Sequence, residues 1–291
     1  MAKHHFAVSS FKNIILSALS LVATSSAIAA IPSTLKLDYA YYAPTSLVVR
    51  EQKLLEKSLP NTKITWVFSQ GSNRSLEYLN SNSIDFASTA GLAAVLSRAN
   101  GSQIKTVYVQ SQPEWTALVV GKNSPIKKLQ DLKGKKIAAT KGTDPYLFTL
   151  LALDTVGLSK NDVELVHLQH PDGKNALQRD QVDAWAGLDP LMASAQIQSG
   201  ARLLYRNINF NSYSVLSVKE AFAKQNPEAI EAVIKAYEQA RLWAKANPDK
   251  LAALLAKESK LPLAVAKLQL QRTNFEQNVP SAVQSQALKK S

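Results

Sequence analysis

Residues 83–91 read SIDFASTAG, and residues 181–187 read QVDAWAG. Each phrase places an Asp between apolar residues and follows it with small ones. The surroundings repeat as well. KITWVFS (63–69) is a β-branched and aromatic run, followed by the glycine turn and short helix of GSNRSLEYLNSNS (71–83). VELVHL (163–168) is followed in the same way by DGKNALQRDQ (172–181). One strand–turn–helix–strand unit therefore occurs once in each half, and each copy ends on a strand whose tip feeds a helix start. The pattern predicts two similar α/β lobes facing a groove lined by helix N-termini from both. Asp85 and Asp183 begin a strand after a turn, and their repeated context predicts structural caps rather than a catalytic carboxylate pair.

Working outward, strands are predicted at 34–42, 84–89, 105–111, 114–122, 135–140, 182–187, 201–207 and 212–219, with helices between them. PTSLVVREQKLLEKSLP (44–60) reads as one helix with Thr45 or Ser46 as its cap, and AGLAAVLSRANG (90–101) as a helix closed by Gly101. KGTDPYLFTLLALDTVGL (141–158) reads as a loop and an amphipathic helix, and 189–200 as another helix. Residues 226–259 are helical, with Asn-Pro at two starts, where Asn caps and Pro fits the first turn. Strands alternating with helices through short joins indicate an α/β class with largely parallel sheets.

Composition narrows the functional classes. The 291 residues are 46% hydrophobic, ample for a large core in one or two domains. There is no Cys, which excludes disulfides, thiolate metal sites and a cysteine nucleophile. Four His make a zinc site improbable, and His167 and His170, at a strand end, are expected on the surface. No metal or cofactor is expected. GxSxG, Walker A, GxGxxG and HExxH are all missing from the sequence, so the chain reads as a non-enzyme.

The N-terminus reads as an export signal. Lys3 and Lys12 precede a short, serine-rich apolar run, and Ala27-Ile28-Ala29 offers a cleavage site after Ala29. No Cys follows it for lipid attachment. The expected product is a soluble exported protein of the periplasm. The formal charge of +12 falls to +10 when Lys3 and Lys12 leave. The basic residues are scattered, and the densest cluster, KGKKIAATKG (133–142), lacks interleaved aromatics, so nucleic acid is not an expected partner.

Three turns place small and hydroxylic residues at helix starts: Gly71, Ser72 and Asn73; Thr89, Ala90 and Gly91 after Ser88; and Gly142, Thr143 and Asp144. A helix N-terminus carries unpaired N–H groups and about half a positive charge, so each turn is a candidate anion cradle as well as an ordinary cap. Tyr41, Tyr42, Trp115, Tyr146 and Trp185 are candidates to pack a ligand's organic part. Trp185 is equally a core candidate, and Trp66 and Trp243 are assigned to the core and a C-terminal helix.

Four stretches carry a family resemblance: LEYLNSNSIDFASTAG (76–91), SPIKKLQDLKGKKIAATKGTDPYLFTLLALDTVGLSKNDVELVHL (124–168), QVDAWAGLDPLMASA (181–195) and NPEAIEAVIKAYEQARLWAKANPDKLAALLA (226–256). Together, over about residues 34–260, they resemble the aliphatic sulfonate, taurine and nitrate group of ABC-transporter substrate-binding proteins. The resemblance implies a two-lobe type II periplasmic binding protein fold with the ligand cleft between the lobes. Residues 30–113 plus 213–291 would form one lobe and 114–212 the other, with crossings near 111–117 and 208–215. It implies a monomer that closes on a small organic anion, preferably an aliphatic sulfonate, and docks on a membrane permease. Carried over by position, the ligand contacts are Tyr42, Thr45, Ser46, Gly71, Ser72, Asn73, Thr89, Ala90, Gly91, Trp115, Gly142, Thr143, Tyr146, Trp185 and Asp189. Two departures bear on the ligand: Leu188 replaces an aromatic before Asp-Pro, and YAPTS (42–46) lacks a glycine common in relatives. Relatives also run somewhat past the position of Ser291, implying an absent or reshaped final helix. Nitrate, bicarbonate or a thiamine-precursor pyrimidine are the alternative ligands, the last kept open by Asp144 and Asp189. An iron- and histidine-using enzyme on this scaffold is disfavoured by the short His supply.

Overall fold

The computed structural model describes Met1 and residues 31–276. The expected export signal, apart from Met1, and the chain after 276 lie outside the described residues. The strands are β1 (Thr34–Tyr39), β2 (Lys63–Phe68), β3 (Phe86–Ala90), β4 (Ile104–Pro113), β5 (Leu118–Val120), β6 (Lys136–Ala139), β7 (Glu164–His167), β8 (Ala184–Ala186), β9 (Arg202–Tyr205), β10 (Ser214–Lys219) and β11 (Thr273–Asn274). They form a six-stranded sheet, β11-β4-β10-β3-β1-β2, and a five-stranded sheet, β7-β6-β8-β5-β9. In each sheet three parallel strands are followed by an antiparallel one, β10 in the first and β5 in the second. The two sheets are counterparts, as the repeated unit predicts.

Asp85 and Asp183 do the same job in the two lobes. Asp85 accepts from the Lys36 N–H at 2.8 Å and its own N–H donates to the Lys36 carbonyl at 2.7 Å. Asp183 accepts from the Lys136 N–H at 2.8 Å and donates to the Lys136 carbonyl at 2.9 Å. Each carboxylate clips the start of one parallel strand to the next, satisfying an N–H at the end of the ladder. They lie in separate sheets and form no catalytic pair.

The helices are α1 (Pro44–Glu51), α2 (Leu54–Ser58), α3 (Ser72–Asn80), α4 (Gly91–Ala99), α5 (Asp144–Asp154), α6 (His170–Gln178), α7 (Leu191–Ser199), α8 (Glu220–Gln225), α9 (Pro227–Ala246), α10 (Pro248–Ser259) and α11 (Leu263–Gln271). They cover both faces of each sheet. On one face of the first sheet Leu35, Leu37 and Phe86 pack with Val48, Val233 and Tyr237. On its other face Ala87 and Val215 pack with Leu76, Leu79 and Ala93. In the second lobe Ala184 and Ala186 face Phe148 and Leu153, while Trp185 faces Ala176, Leu177 and Met192. Burial on both faces accounts for β3, β5 and β8 being buried at every position.

Three local expectations are corrected. Residues 44–60 are two helices, because Lys53 adopts φ 52°, a left-handed conformation that ends the first. The break re-aims the chain so that the adjacent Leu54 and Leu55 are both buried. Thr45 and Ser46 do not cap the helix; Ala43 stands at the cap with Pro44 at the first helical position. Asn226 and Asn247 do precede Pro at helix starts, yet their side chains donate backwards, to the Phe222 and Trp243 carbonyls at 3.0 Å. They close the preceding helix rather than cap the next one.

Candidate ligand-binding site

The chain leaves the first sheet at Pro113 and returns to it at Ser214. These two crossings run side by side. Asn211 accepts from the Thr116 N–H at 2.8 Å and donates back to the Thr116 carbonyl at 3.3 Å. Arg206 grips Glu114 with two hydrogen bonds of 2.8 and 2.5 Å. A third connection comes from the C-terminal segment, where the Arg272 carbonyl accepts from the Glu114 N–H at 2.7 Å.

Beside these crossings lies a cavity of about 190 Å³. Tyr41, Tyr42, Phe68, Ser69 and Gln70 of the first lobe, with Ser259 at the end of α10 and Leu261 just beyond it, form one wall. His170, Pro171 and residues Leu188 to Leu191 of the second lobe form the other. Most of this lining is aromatic or aliphatic, and the polar groups are few. That is the usual make-up of a small-molecule site, although the volume is below the roughly 300–1,000 Å³ typical of drug-sized ligands.

The first-lobe wall is tied down by a buried carboxylate that sequence reading passed over. Asp38, near the C-terminal end of β1, accepts from the Ser75 hydroxyl at 2.5 Å and the Ser88 N–H at 2.7 Å. Burial raises its pKa to about 6, against the lowering effect of those bonds. It joins β1 to α3 and β3, and Tyr42 completes the support by donating to the Ser88 carbonyl at 2.9 Å. Ser72 accepts from the Ala90 N–H at 2.8 Å, so the starts of α3 and α4 are held together.

The three predicted cradles part company here. The 71–73 turn borders the cavity: Ser69 and Gln70 line it, and Gly71 faces His170 of the opposite lobe. Gly142 approaches the same place, since a Cβ there would lie 3.7 Å from the Asn73 Cβ. The 89–91 turn is already engaged. Gly91 N–H donates to the Tyr213 carbonyl at 2.9 Å and Leu92 N–H to the Ser212 hydroxyl at 3.2 Å. Asp144, at the start of α5, accepts from the Ser212 hydroxyl at 2.6 Å, the Ser212 N–H at 3.0 Å and Trp115 Nε1 at 3.2 Å. The chain's own carboxylate thus occupies the junction of α4 and α5. Its pKa rises to about 6 through burial, with the Ser212 bonds opposing.

The other carried-over positions sort by location. Trp115 is buried edge-on to Tyr42, with ring centroids 6.0 Å apart, between the cavity wall and Asp144. Asp189 lines the cavity but is spoken for: it accepts from the Ala193 N–H at 2.8 Å and pairs with Arg272 at 3.2 Å. Burial, opposed by Arg272, raises its pKa to about 6. Thr45 and Ser46 are buried inside the first lobe, where Thr45 donates to Gln110 and Ser46 to the Ala43 carbonyl at 2.6 Å. Thr89 is fully buried, Thr143 donates to the Thr140 carbonyl at 2.6 Å, and Tyr146 packs against His167 on the far side of α5. Trp185 stands in the core under α6, its ring so close that a Cβ on Gly173 would meet it at 2.7 Å.

His170 corrects the surface expectation. It is the first residue of α6, fully buried, and lines the cavity. Its Nδ1 lies 3.1 Å from the Thr140 hydroxyl, and its Nε2 has no partner. Burial lowers its pKa to about 3, so the ring is neutral. The repeat carries a signal for it: aligning SQGS (69–72) with LQHP (168–171) makes His170 the counterpart of Gly71, and the two counterparts face each other across the lobes.

Comparison with known proteins agrees with this architecture. The profile of the NMT1/THI5-like family matches residues 62–251. An aliphatic sulfonates-binding protein of Escherichia coli (strain K12) is 33% identical over 236 residues, 80% of this chain and 74% of the relative. The crystal structure of the periplasmic aliphatic sulphonate binding protein SsuA from Escherichia coli superposes with a TM-score of 0.76 at 31% identity, covering 89% of this chain and 91% of that one. The alkanesulfonate-binding protein SsuA from Xanthomonas axonopodis pv. citri, bound to MOPS, gives 0.82 at 27% identity, over 90% and 91% of the two chains. These relatives are binding proteins rather than enzymes. A profile match across most of the chain and a relative aligned over most of both lengths lead to one conclusion: the chain belongs to the NMT1/THI5-like family, within its group of aliphatic sulfonate-binding proteins.

Proposed function

We propose that this chain is the substrate-binding component of an ABC importer, capturing a small organic anion, an aliphatic sulfonate by preference, between two closing lobes. It is a receptor without catalytic activity, exported to the periplasm with its signal removed after Ala29. It acts as a monomer and delivers its ligand to a membrane permease. Residues 30–113 plus 213–291 form one lobe and 114–212 the other. The observation that carries this reading is the apolar cavity between the lobes, bordered by the counterpart starts of α3 and α6. Tyr42, Gly71, Asn73, His170 and Leu188 are the residues assigned to the ligand. Asp189 and Trp115 shape the cavity wall, with the Asp189 charge met by Arg272. The α3 start offers partial positive charge to the anion without a buried cation of its own. Ligand contact with both walls stabilises the closed arrangement.

A thermal-shift panel of the mature protein tests this, with alkanesulfonates, nitrate, bicarbonate and aminopyrimidines. A ligand at about 100 times its dissociation constant adds roughly 2.7 kcal/mol, which for this size raises Tm by about 5–10 °C. The expected result is a shift with sulfonates. A shift confined to pyrimidines or to inorganic anions refutes the ligand class.

A further inference from the structure

The Thr140 hydroxyl has a single proton and two neighbours. It lies 2.7 Å from the Leu168 carbonyl and 3.1 Å from His170 Nδ1. A carbonyl only accepts, so the shorter contact takes the hydroxyl proton. Nδ1 must then carry the ring proton and donate to the Thr140 oxygen. In a neutral ring this leaves Nε2 as a bare lone pair, fully buried and without a partner, on a residue that lines the cavity. The burial that keeps the ring neutral is the same one that drives its pKa down to about 3. Asn73 Oδ1, likewise buried and unpaired, stands across the space above Gly71: a Cβ there would lie 2.9 Å from Nε2 and 3.0 Å from Oδ1. An amide can turn over, but this imidazole cannot change tautomer without losing either its own bond to Thr140 or the Thr140–Leu168 bond. Buried acceptors without donors are costly, and a site built this way asks its ligand for a donor.

We propose that His170 reads the ligand: its Nε2 accepts a hydrogen bond from an N–H or O–H group that the bound molecule carries beside its anionic group. The inference rests on the reading that the cavity takes a small organic sulfonate, and it narrows that class to amino- and hydroxyalkanesulfonates over plain alkanesulfonates. A plain alkanesulfonate offers Nε2 only acceptors or carbon, and leaves it unpaired in the closed site.

The test is calorimetric titration of the wild-type mature protein with 2-aminoethanesulfonate, 2-hydroxyethanesulfonate and ethanesulfonate, which differ in one group. The donor-bearing ligands are expected to bind about tenfold or more tighter, the usual worth of a buried hydrogen bond involving a charged or polar donor. In His170→Phe that preference disappears: the ratio of affinities among the three ligands falls to about one, whatever the change in absolute affinity. Imidazole ¹⁵N NMR of the unmodified protein supplies a readout independent of any variant. Nδ1 should be protonated and Nε2 bare without ligand, with Nε2 alone shifting when 2-aminoethanesulfonate is added. Equal affinity for the three sulfonates, or an Nε2 that becomes protonated on binding, overturns the role of His170 and leaves the sulfonate receptor standing. If none of the three binds, the sulfonate reading itself falls, and this inference with it.

Discussion

Gly71→Ala examines how the two lobes meet. The φ of Gly71 is −176°, extended backbone open to any residue, so the substitution brings no local strain. Its consequence is across the cleft. The added methyl would lie 2.9 Å from His170 Cδ2 and Nε2 and 3.0 Å from Asn73 Oδ1. A fully buried ring cannot yield easily, and forcing extra volume into a packed contact costs about 1–3 kcal/mol. The part of the cost set by His170 falls on the closed arrangement alone, because opening the lobes relieves it, and the Asn73 side chain can turn aside within its own lobe. Ligand affinity should therefore fall by roughly 5–150-fold, with Tm of the ligand-free protein almost unchanged. In a His170→Ala background the methyl has room, and adding Gly71→Ala should cost nearly nothing more, a coupling measured by a double-mutant cycle. Calorimetric titration of the four proteins with the ligand found by the thermal-shift panel provides the numbers. An affinity for Gly71→Ala equal to wild type would mean that the Gly71–His170 contact does not belong to the ligand-bound form.

Other substitutions separate stability from binding. Gly173→Ala would set a methyl 2.7 Å from the Trp185 ring inside one lobe; it should cost about 1–3 kcal/mol in urea unfolding and leave affinity unchanged. Asp85→Ala should destabilise by about 1–2 kcal/mol, because it strands the half-buried Lys36 N–H, and the equivalent Asp183→Ala, at an exposed bond, should cost less in the same assay. Asp144→Asn should change the pH profile of stability. The folded state holds the Asp144 proton up to about pH 6 while the unfolded chain releases it near 3.8, so this stabilisation is complete below 3.8 and lost as pH rises through 6. Wild-type stability relative to the variant should decline by about 3 kcal/mol across that window, and a flat difference would count against a buried, protonated Asp144.

What was legible in the sequence was chiefly backbone chemistry. The repeated Asp at 85 and 183 and the strand–turn–helix spacing pointed to two matched sheets, because each depends on neighbours within one unit. The cavity was less legible because its polar partners are distant along the chain. Asp144 and Ser212 are 68 residues apart, and Asp189 and Arg272 are 83 apart. No local pattern announces that a helix-start carboxylate will be consumed by a returning crossing strand. Trp185 shows a different limit. On a three-residue strand buried on both faces, alternation alone cannot say which face meets a ligand, and the close approach of Gly173 decides it for the core. His170 was misread because LQHPDGK is polar and looks solvated. Its position became readable only by laying the second unit on the first, where Gly71 marks the lobe contact.

The cavity between the lobes is proposed to take one small organic sulfonate. Calorimetric titration of the mature protein with 2-aminoethanesulfonate at several temperatures tests it most directly. Saturable binding of one ligand per chain with a negative heat-capacity change is expected, as apolar walls close over the ligand. Absence of saturable heat with this and with plain alkanesulfonates, while another anion or a pyrimidine binds, would contradict it.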